Sequence, residues 1–254
     1  MLAQYHPNFL KYKTQIENYI THFISSGKDF VIGKRNAIKL FKLGDDVISI
    51  KSFKKPNLIN KIAYRYFRKS KARRSFEFAS KLIEMQIGTP QPVAFFEKYD
   101  FIGLNESYYA CEHLENVFEF REIIENEAFE NREFIIRKFT QFTFEMHEKG
   151  IEFLDHSPGN TLIRKNNDGS YSFFLVDLNR MQFHETIDFQ TRMKNLSKIT
   201  PKKDMIVVMS NEYAKLSNDD ENTIFKIMWQ LTADFQYRFH RKKRIKKKLK
   251  FWKK

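Results

Sequence analysis

Residues 150–163 read GIEFLDHSPGNTLI, and residues 173–178 read FFLVDL. The Pro-Gly pair in the first stretch breaks regular helix, so Asp155 and Asn160, five residues apart, are predicted to lie on a loop. The apolar residues after Asn160 start a short strand, and a turn rich in Asn, Asp and Gly separates it from a second strand that ends at Asp177. The pattern predicts a β-hairpin with a carboxylate and an amide at its entrance and a second carboxylate at its exit.

This grouping has the chemistry that phosphoryl transfer needs. One carboxylate must orient an acceptor hydroxyl, and a neighbouring amide and carboxylate must hold Mg²⁺ on the phosphates of a nucleotide. The spacing Asp-x-x-x-x-Asn, followed by an Asp after a hairpin, resembles the catalytic loop and metal-binding segment of the protein-kinase-like superfamily. The alternative is a plain surface hairpin, because Asp, Asn, Pro and Gly are ordinary turn residues. The order of the other elements favours the first interpretation.

Length and composition indicate a soluble globular chain. Its 254 residues, 42% hydrophobic and 30% charged, suit one domain of two lobes or two small domains. No apolar run approaches the roughly 18 residues of a membrane span, and the N-terminus lacks the pattern of a signal peptide. The single cysteine, Cys111, excludes an internal disulfide framework and a cysteine-based zinc site. We therefore expect a reducing, cytoplasmic location.

The first half of the chain predicts a small lobe built on antiparallel strands. A weakly periodic helix is expected up to about residue 26. Three strand-like runs follow, at residues 30–32, 37–43 and 47–53. Two more come after the helices of this lobe, at residues 92–99 and 107–114. Helical periodicity covers residues 57–67, with an apolar face that includes Ile59 and Phe67, and residues 72–87.

Several residues of this lobe have a counterpart in kinases. Gly33 lies in the first strand turn, where backbone amides, with Lys34 or Arg35, would touch phosphate. Lys51 ends an alternating apolar run and resembles the strand lysine that pairs with the α and β phosphates. The alternative for Lys51 is a strand-end lysine that extends to solvent. Backbone groups of Glu112 and Leu114 would bond adenine at the hinge.

A kinase small lobe also needs one helix glutamate that holds the strand lysine toward the phosphates. Glu77 is the first choice for this role and Glu84 the second. The alternative is that both are solvated helix positions with partners at i,i+4.

The second half of the chain is predicted to be mainly helical. An amphipathic helix over residues 131–149 ends immediately before the Asp155 loop, and His147 near its end is interpreted as a capping and packing residue. Beyond Asp177, helices are expected at residues 184–198 and 202–215, followed by a long final helix.

Three further segments are similar to the bacterial lipopolysaccharide core kinase family, which includes Kdo kinases and heptose kinases. They are KARRSFEFA at 71–79, GTPQPVA at 88–94 and VDLNRM at 176–181. Eukaryotic protein kinases fit less well, because Phe and Leu precede Asp155 here and Leu and Asn follow Asp177.

The resemblance implies an ATP- and Mg²⁺-dependent kinase for a sugar hydroxyl of the lipopolysaccharide inner core, on the Kdo or heptose attached to lipid A. Carried over by position, Asp155 is the catalytic base, and Asn160 and Asp177 are metal ligands. Lys51 is the phosphate lysine and Glu77 its partner.

The implied fold class is α+β. It is a two-lobed protein-kinase-like fold with a small lobe of antiparallel sheet plus helix, a large mainly helical lobe and a basic amphipathic C-terminal helix. The expected organisation is an N-terminal helical extension at 1–27, a nucleotide-binding lobe at 28–114, a catalytic lobe at 115–237 and a basic tail at 238–254.

The tail carries most of the net charge. Of the overall +14, eleven Lys and Arg without any acid lie in residues 238–254, which leaves +3 for the other residues. An amphipathic helix with a basic face and Trp252 near its end is typical of a membrane-surface element, here at the anionic inner face of the bacterial inner membrane. RNA binding and a solubilising tail are the alternatives, and no specific nucleic acid is expected.

The sequence is also compatible with other functions. The same fold serves kinases for other small molecules or for proteins, and a membrane-associated pseudokinase scaffold would need no catalysis. A nucleic-acid-binding protein would need the tail alone.

Overall fold

The structure divides the chain into two compact units. It is a computed structural model that describes the backbone of residues 1–33 and 36–251 and the side chains of all these except 247–251. The sheet unit comprises Met1–Asn116 and Phe174–Arg180, and the helical unit comprises Val117–Phe173 and Met181–Lys254. Lys34, Arg35 and Trp252, which the sequence analysis singled out, lie outside the described residues.

Among the described residues, six antiparallel strands form the sheet of the sheet unit. They are β1 (Leu2–Tyr5), β2 (Lys28–Ile32), β3 (Asn36–Leu43), β4 (Asp46–Phe53), β5 (Pro92–Tyr99) and β6 (Leu104–Glu112). Their order in the sheet is β1-β5-β6-β4-β3-β2, and each neighbouring pair is antiparallel. The five predicted strands are confirmed. The helix expected up to residue 26 is wrong at its start, because Leu2–Tyr5 is a strand that pairs with β5.

Helices cover both faces of this sheet. The helices of the unit are α1 (Lys13–Thr21), α2 (Leu58–Tyr66) and α3 (Lys71–Glu84). Successive side chains of a strand point to opposite faces. Phe96 accordingly joins the buried cluster that contains Ile16 and Ile20 of α1, whereas Phe95 contacts Phe76 of α3, with ring centroids 5.5 Å apart. The N-terminal segment is therefore part of the core of the sheet unit.

In its described part, the helical unit contains five α-helices and short strands that hold its loops. Its elements are β7 (Val117–Glu119), α4 (Phe120–Glu125), α5 (Arg132–Glu148), β8 (Ile151–Phe153), β9 (Thr161–Lys165), β10 (Tyr171–Leu175), β11 (Met181–Phe183), α6 (Phe189–Leu196), α7 (Lys203–Ser217) and α8 (Glu221–Phe251). The predicted hairpin of β9 and β10 and the predicted helices are confirmed, except that the helix expected from residue 184 begins at Phe189. Leu175, the last residue of β10, already belongs to the sheet unit.

A stacked aromatic pair lies in the core of the helical unit. The ring centroids of Phe120 and Phe139 lie 4.0 Å apart, and both side chains are fully buried. His147 is also fully buried, which confirms its packing role near the end of α5. Within the described part of the chain, no helix is both long enough and apolar enough to cross a bilayer.

Candidate active site

Lys51 and Asp177, two of the predicted site residues, meet within the sheet unit. Lys51 lies on the central strand β4, opposite Tyr109 of β6 and Ile38 of β3. Its Nζ donates to Oδ1 of Asp177 at 2.9 Å, across 126 positions of sequence. The lysine side chain is 16% exposed and the aspartate side chain 42% exposed. The ammonium and the carboxylate expected to act on a nucleotide therefore lie in direct contact.

A strained turn presents the carboxylate of Asp177. Its φ is +58°, a left-handed conformation that costs a residue other than glycine of order 1 kcal/mol, although Asp and Asn tolerate it best. The turn is closed by the amide of Asn179, which donates to the carbonyl of Asp177 at 2.9 Å, while the Asn179 side chain bonds the carboxylate. Strain of this kind is maintained only where the surroundings fix the backbone.

Hydrogen bonds from α3 and the loop after it supply that fixation. The amide of Leu175 donates to the carbonyl of Gly88, and Oγ1 of Thr89 donates to the carbonyl of Leu175, both at 2.8 Å. Nη1 of Arg74 donates to the carbonyl of Asn179 at 2.7 Å. These bonds attach residues 174–180 to the sheet unit on both sides of Asp177. No local sequence pattern marks Arg74 or Thr89 for this role.

Glu77 differs from its expected partnership. Its carboxylate accepts from Nζ of Lys69 at 2.7 Å and from Nε of Arg73 at 2.9 Å. Burial raises its pKa, but these two hydrogen bonds outweigh burial and hold the pKa below its usual range. Among the described residues no ion pair joins Lys51 to Glu77. Glu84, the second choice, is exposed. A partnership of either glutamate with Lys51 remains a prediction.

The other expected nucleotide contacts are backbone groups. The amide of Gly33 donates to the carbonyl of Asn36 at 3.0 Å, which closes the turn between β2 and β3. The amide of Glu112 donates to the carbonyl of Gln91 at 2.9 Å. Leu114 is buried.

In the helical unit, Asp155 and Asn160 lie on one tight loop. Pro158–Asn160 form a short 3-10 turn, and the side-chain amide nitrogen of Asn160 donates to the backbone carbonyl of Asp155 at 2.9 Å. This bond holds the amide nitrogen to the loop and thereby fixes which way the side-chain oxygen faces. The loop thus orders a carboxylate and an amide oxygen, both partly exposed.

A buried polar network supports the loop of Asp155 and Asn160 from the interior of the helical unit. Oδ1 of Asn195, on α6, lies 3.2 Å from Nδ1 of His156 and 3.2 Å from Nε2 of His147. The Asn195 side chain also donates to the carbonyl of Phe153 at 2.8 Å. Nζ of Lys198 donates to the carbonyl of Leu154 at 2.6 Å, directly before Asp155. Asn195 and Lys198 were missed by the sequence analysis, because nothing local marks residues some 40 positions away as supports.

The sheet unit with its lysine–aspartate pair and the helical unit with its Asp-x-x-x-x-Asn loop together define a protein of the kinase-like fold class. Residues 54–219 match the model of the lipopolysaccharide kinase (Kdo/WaaP) family, and the chain belongs to this family. The matched range contains Glu77, Asp155, Asn160 and Asp177 and begins three residues after Lys51.

A solved structure supports the same fold. The chain is similar to WaaP in complex with acyl carrier protein, with a TM-score of 0.66 and 13% identity over 95% of this chain and 99% of that chain. At this identity the likeness concerns the fold alone. A search of the curated proteins gave no match. The predicted family and the kinase-like fold are confirmed.

Proposed function

We propose that this chain transfers the γ-phosphoryl group of ATP, with Mg²⁺, to a sugar hydroxyl of the lipopolysaccharide inner core, on Kdo or heptose attached to lipid A. Membership of the lipopolysaccharide kinase family supports the acceptor class. The single observation that carries the catalytic part is the 2.9 Å contact of Lys51 with Asp177. Both are the residue types that phosphoryl transfer uses, and a chance pairing would not require a strained turn held by three hydrogen bonds.

Asp155 is the proposed catalytic base. In phosphoryl transfer the protein mainly positions the reacting groups, and the loop aspartate accepts the proton of the attacking hydroxyl. The Asn160 bond to its backbone and the Lys198 bond to the preceding carbonyl keep Asp155 in place. That fixation would hold the acceptor hydroxyl ready for in-line attack.

Asn160 and Asp177 are the proposed Mg²⁺ ligands. Each offers an oxygen atom, the donor that Mg²⁺ prefers, and Mg²⁺ is usually held by one or two protein groups together with substrate phosphates. The ion would neutralise charge on the β and γ phosphates.

Residues of the sheet unit would bind the nucleotide. Lys51 would exchange its contact with Asp177 for the α and β phosphates, and Glu77 would be its partner in that state. The Gly33 turn would cover the phosphates. The carbonyl of Glu112 and the backbone of Leu114 would bond adenine.

Assays with purified protein, labelled ATP and defined acceptors test the reaction. We expect transfer to Kdo-lipid A or its heptosylated form and none to a generic protein. Asp155→Asn should lower kcat by roughly 10²–10⁴ because it removes the base with little change in shape. Asp168→Asn, in the exposed hairpin turn, is the matched control and should retain activity. No transfer by the wild type, or equal activity of both variants, would refute the proposal.

A second pair of variants tests the phosphate lysine. Lys51→Met should lower kcat/KM for ATP by at least about 10²-fold, since a charge that stabilises the transferring group is lost. Lys54→Met, an exposed lysine three residues later, should leave it unchanged. If both variants behave alike, Lys51 is a solvated strand-end residue.

Experiments in cells separate the alternatives. An active kinase predicts that Asp155→Ala removes phosphate from the core oligosaccharide, as seen by mass spectrometry. A pseudokinase scaffold predicts that the variant behaves as the wild type. A kinase for another small molecule or for protein predicts unchanged core phosphate with retained ATP-dependent transfer elsewhere.

The basic tail is proposed to hold the enzyme at the anionic inner face of the inner membrane. Exposed Tyr237, Phe239 and Ile245 accompany the basic residues of α8. At about 1 kcal/mol for each basic residue near the surface, half of the eleven charges would supply several kcal/mol. Deleting residues 238–254 should strongly weaken binding to anionic vesicles and leave activity on a soluble acceptor. Tight RNA binding that depends on the same residues would favour the nucleic-acid alternative instead.

A further inference from the structure

Helix α2 exposes the apolar face that its sequence pattern would normally bury. Asn57 caps the helix by accepting from the amide of Asn60 at 3.0 Å, yet no residue of α2 is buried. Ile59 is 78% exposed, and Phe67, directly after the helix, is 85% exposed. Phe101, in the turn between β5 and β6, is 98% exposed. We call the exposed apolar side chains of this region the α2 ridge; they are Leu58, Ile59, Ile62, Tyr66, Phe67 and Phe101.

The α2 ridge is built on a fixed support. Lys61 of α2 forms an ion pair with Asp100, and Nη1 of Arg65 donates to the carbonyl of Phe101 at 3.0 Å. Asp100 in turn accepts from the amides of Ile102 and Gly103, each at 3.0 Å. These bonds attach the turn that presents Phe101 to α2, so the exposed rings lie on one structured surface.

A close approach of two backbone segments also joins the turn at Gly103 to helix α2. A methyl group at Gly103 would stand 2.4 Å from the carbonyl oxygen of Lys61, so the turn and the helix meet at a distance that only glycine permits. Specific residues therefore join the turn that contains Phe101 to α2, although neither the turn nor the helix buries an apolar side chain at this contact.

Charge indicates what would cover the α2 ridge. Residues 54–74, which include α2, contain nine Lys and Arg and no Asp or Glu, and ion pairs with Glu77, Asp100 and Glu106 neutralise only part of this charge. A two-fold dimer formed through the ridge would bring two such segments together, which like-charge repulsion disfavours. An apolar face with aromatic side chains and basic flanks is instead suited to the boundary between headgroups and acyl chains of an anionic bilayer.

We propose that the α2 ridge docks the sheet unit on an anionic membrane surface, with Ile59, Phe67 and Phe101 entering the headgroup region and Lys54 and Arg68 facing lipid phosphates. This contact is additional to the basic tail. It shares with the proposed function only the expectation that the acceptor is lipid-linked, and it holds whichever sugar is phosphorylated.

Vesicle binding by the full chain tests the contact. The triple variant Ile59→Ser, Phe67→Ser, Phe101→Ser should bind vesicles of phosphatidylethanolamine and phosphatidylglycerol at least tenfold more weakly than the wild type. Ile24→Ser is the matched control, because Ile24 is 91% exposed in the same unit but lies outside the ridge. Equal binding by the wild type and the triple variant would overturn the proposal, as would equal losses in the triple variant and the control.

A second measurement reads insertion directly. Phe67→Trp places a tryptophan on the ridge, and brominated lipids should quench the fluorescence of this variant more than that of the wild type, which has only the native tryptophans. Ile24→Trp should show no additional quenching. A ridge tryptophan that is quenched no more than Ile24→Trp overturns the proposal. So does a dimer in sedimentation experiments that the triple variant breaks, since the ridge would then bind a second copy. Transfer to a soluble acceptor, measured on the same variants, reports on the proposed kinase reaction separately.

Discussion

Two buried histidines should make the helical unit sensitive to mild acid. Oδ1 of Asn195 can only accept, so His147 and His156 each donate one ring N–H to it in their neutral form. Burial lowers the pKa of His147 to about 4 and that of His156 to about 3. Nε2 of His156 has no hydrogen-bond partner among the described residues, so a proton added there would remain buried without an acceptor.

The sign and size of the effect follow from proton linkage. Because the folded pKa values lie below the unfolded value of about 6.5, the unfolded chain binds more protons at intermediate pH. The stability that neutral histidines provide is complete above about pH 6.5 and falls as the pH decreases toward the folded pKa values. Between pH 7 and pH 5 each histidine should lower the free energy of unfolding by about 2 kcal/mol, and the two together by about 4 kcal/mol.

Urea unfolding at pH 7, 6 and 5 measures this loss. Trp229 packs against the core of the helical unit, so its fluorescence reports on the unfolding of that unit. Carboxylates interfere little in this window, because their unfolded pKa values lie near 4. The comparison therefore isolates the histidines as far as equilibrium unfolding can.

Variants assign the effect to the network. His156→Gln keeps an N–H for Asn195 but cannot be protonated. The free energy of unfolding of this variant should therefore decrease by only about 2 kcal/mol between pH 7 and pH 5. His22→Gln, at an exposed position, is the control and should retain the full loss. A wild-type loss below about 1 kcal/mol, or an unchanged loss in His156→Gln, would refute the reasoning.

Two further predictions concern stability. Gly150→Ala should cost more than about 2 kcal/mol, since φ is +70° and the new methyl group would stand 2.0 Å from the carbonyl oxygen of His184; Gly169→Ala, at φ +81° with open space around it, should cost about 1 kcal/mol. Equal unfolding free energies for the two variants would contradict this. Phe139→Ala should cost about 3–5 kcal/mol in urea unfolding. Phe134→Ala, on the same helix but 46% exposed, should cost less than about 1 kcal/mol, and a larger loss there would contradict the burial argument.

Local patterns were sufficient for most elements of the fold. Alternation over β3 and β4, turn residues between β9 and β10, and helical periodicity over α3 and α5 each depend on neighbours within a few positions. β1 was missed because four residues at a sheet edge carry little pattern, and its partner β5 lies some 90 positions away. A strand that pairs over such a distance is decided by the assembled sheet.

Contacts within the site were harder to foresee than its residue types. The order of elements in the sequence predicted that Lys51, Asp155, Asn160 and Asp177 belong to one site, because each follows a recognisable element. The partners of Glu77 depend on how α3 lies against its own preceding loop, which no spacing encodes. Likewise, periodicity in α2 indicates which face is apolar, but only the packed structure shows that the described part of the chain leaves it exposed.

The assignment of residues 174–180 to the sheet unit has a consequence for synthesis on the ribosome. Lys51 is made 126 residues before Asp177, which at about 5–20 residues per second is an interval of roughly 6–25 s. During that time the nascent sheet lacks the segment that bonds Gly88, Thr89 and Arg74. A gene fragment that stops at residue 116 lacks this segment permanently, so we expect a form of the sheet unit that carries residues 174–180 through a linker to be the more stable one.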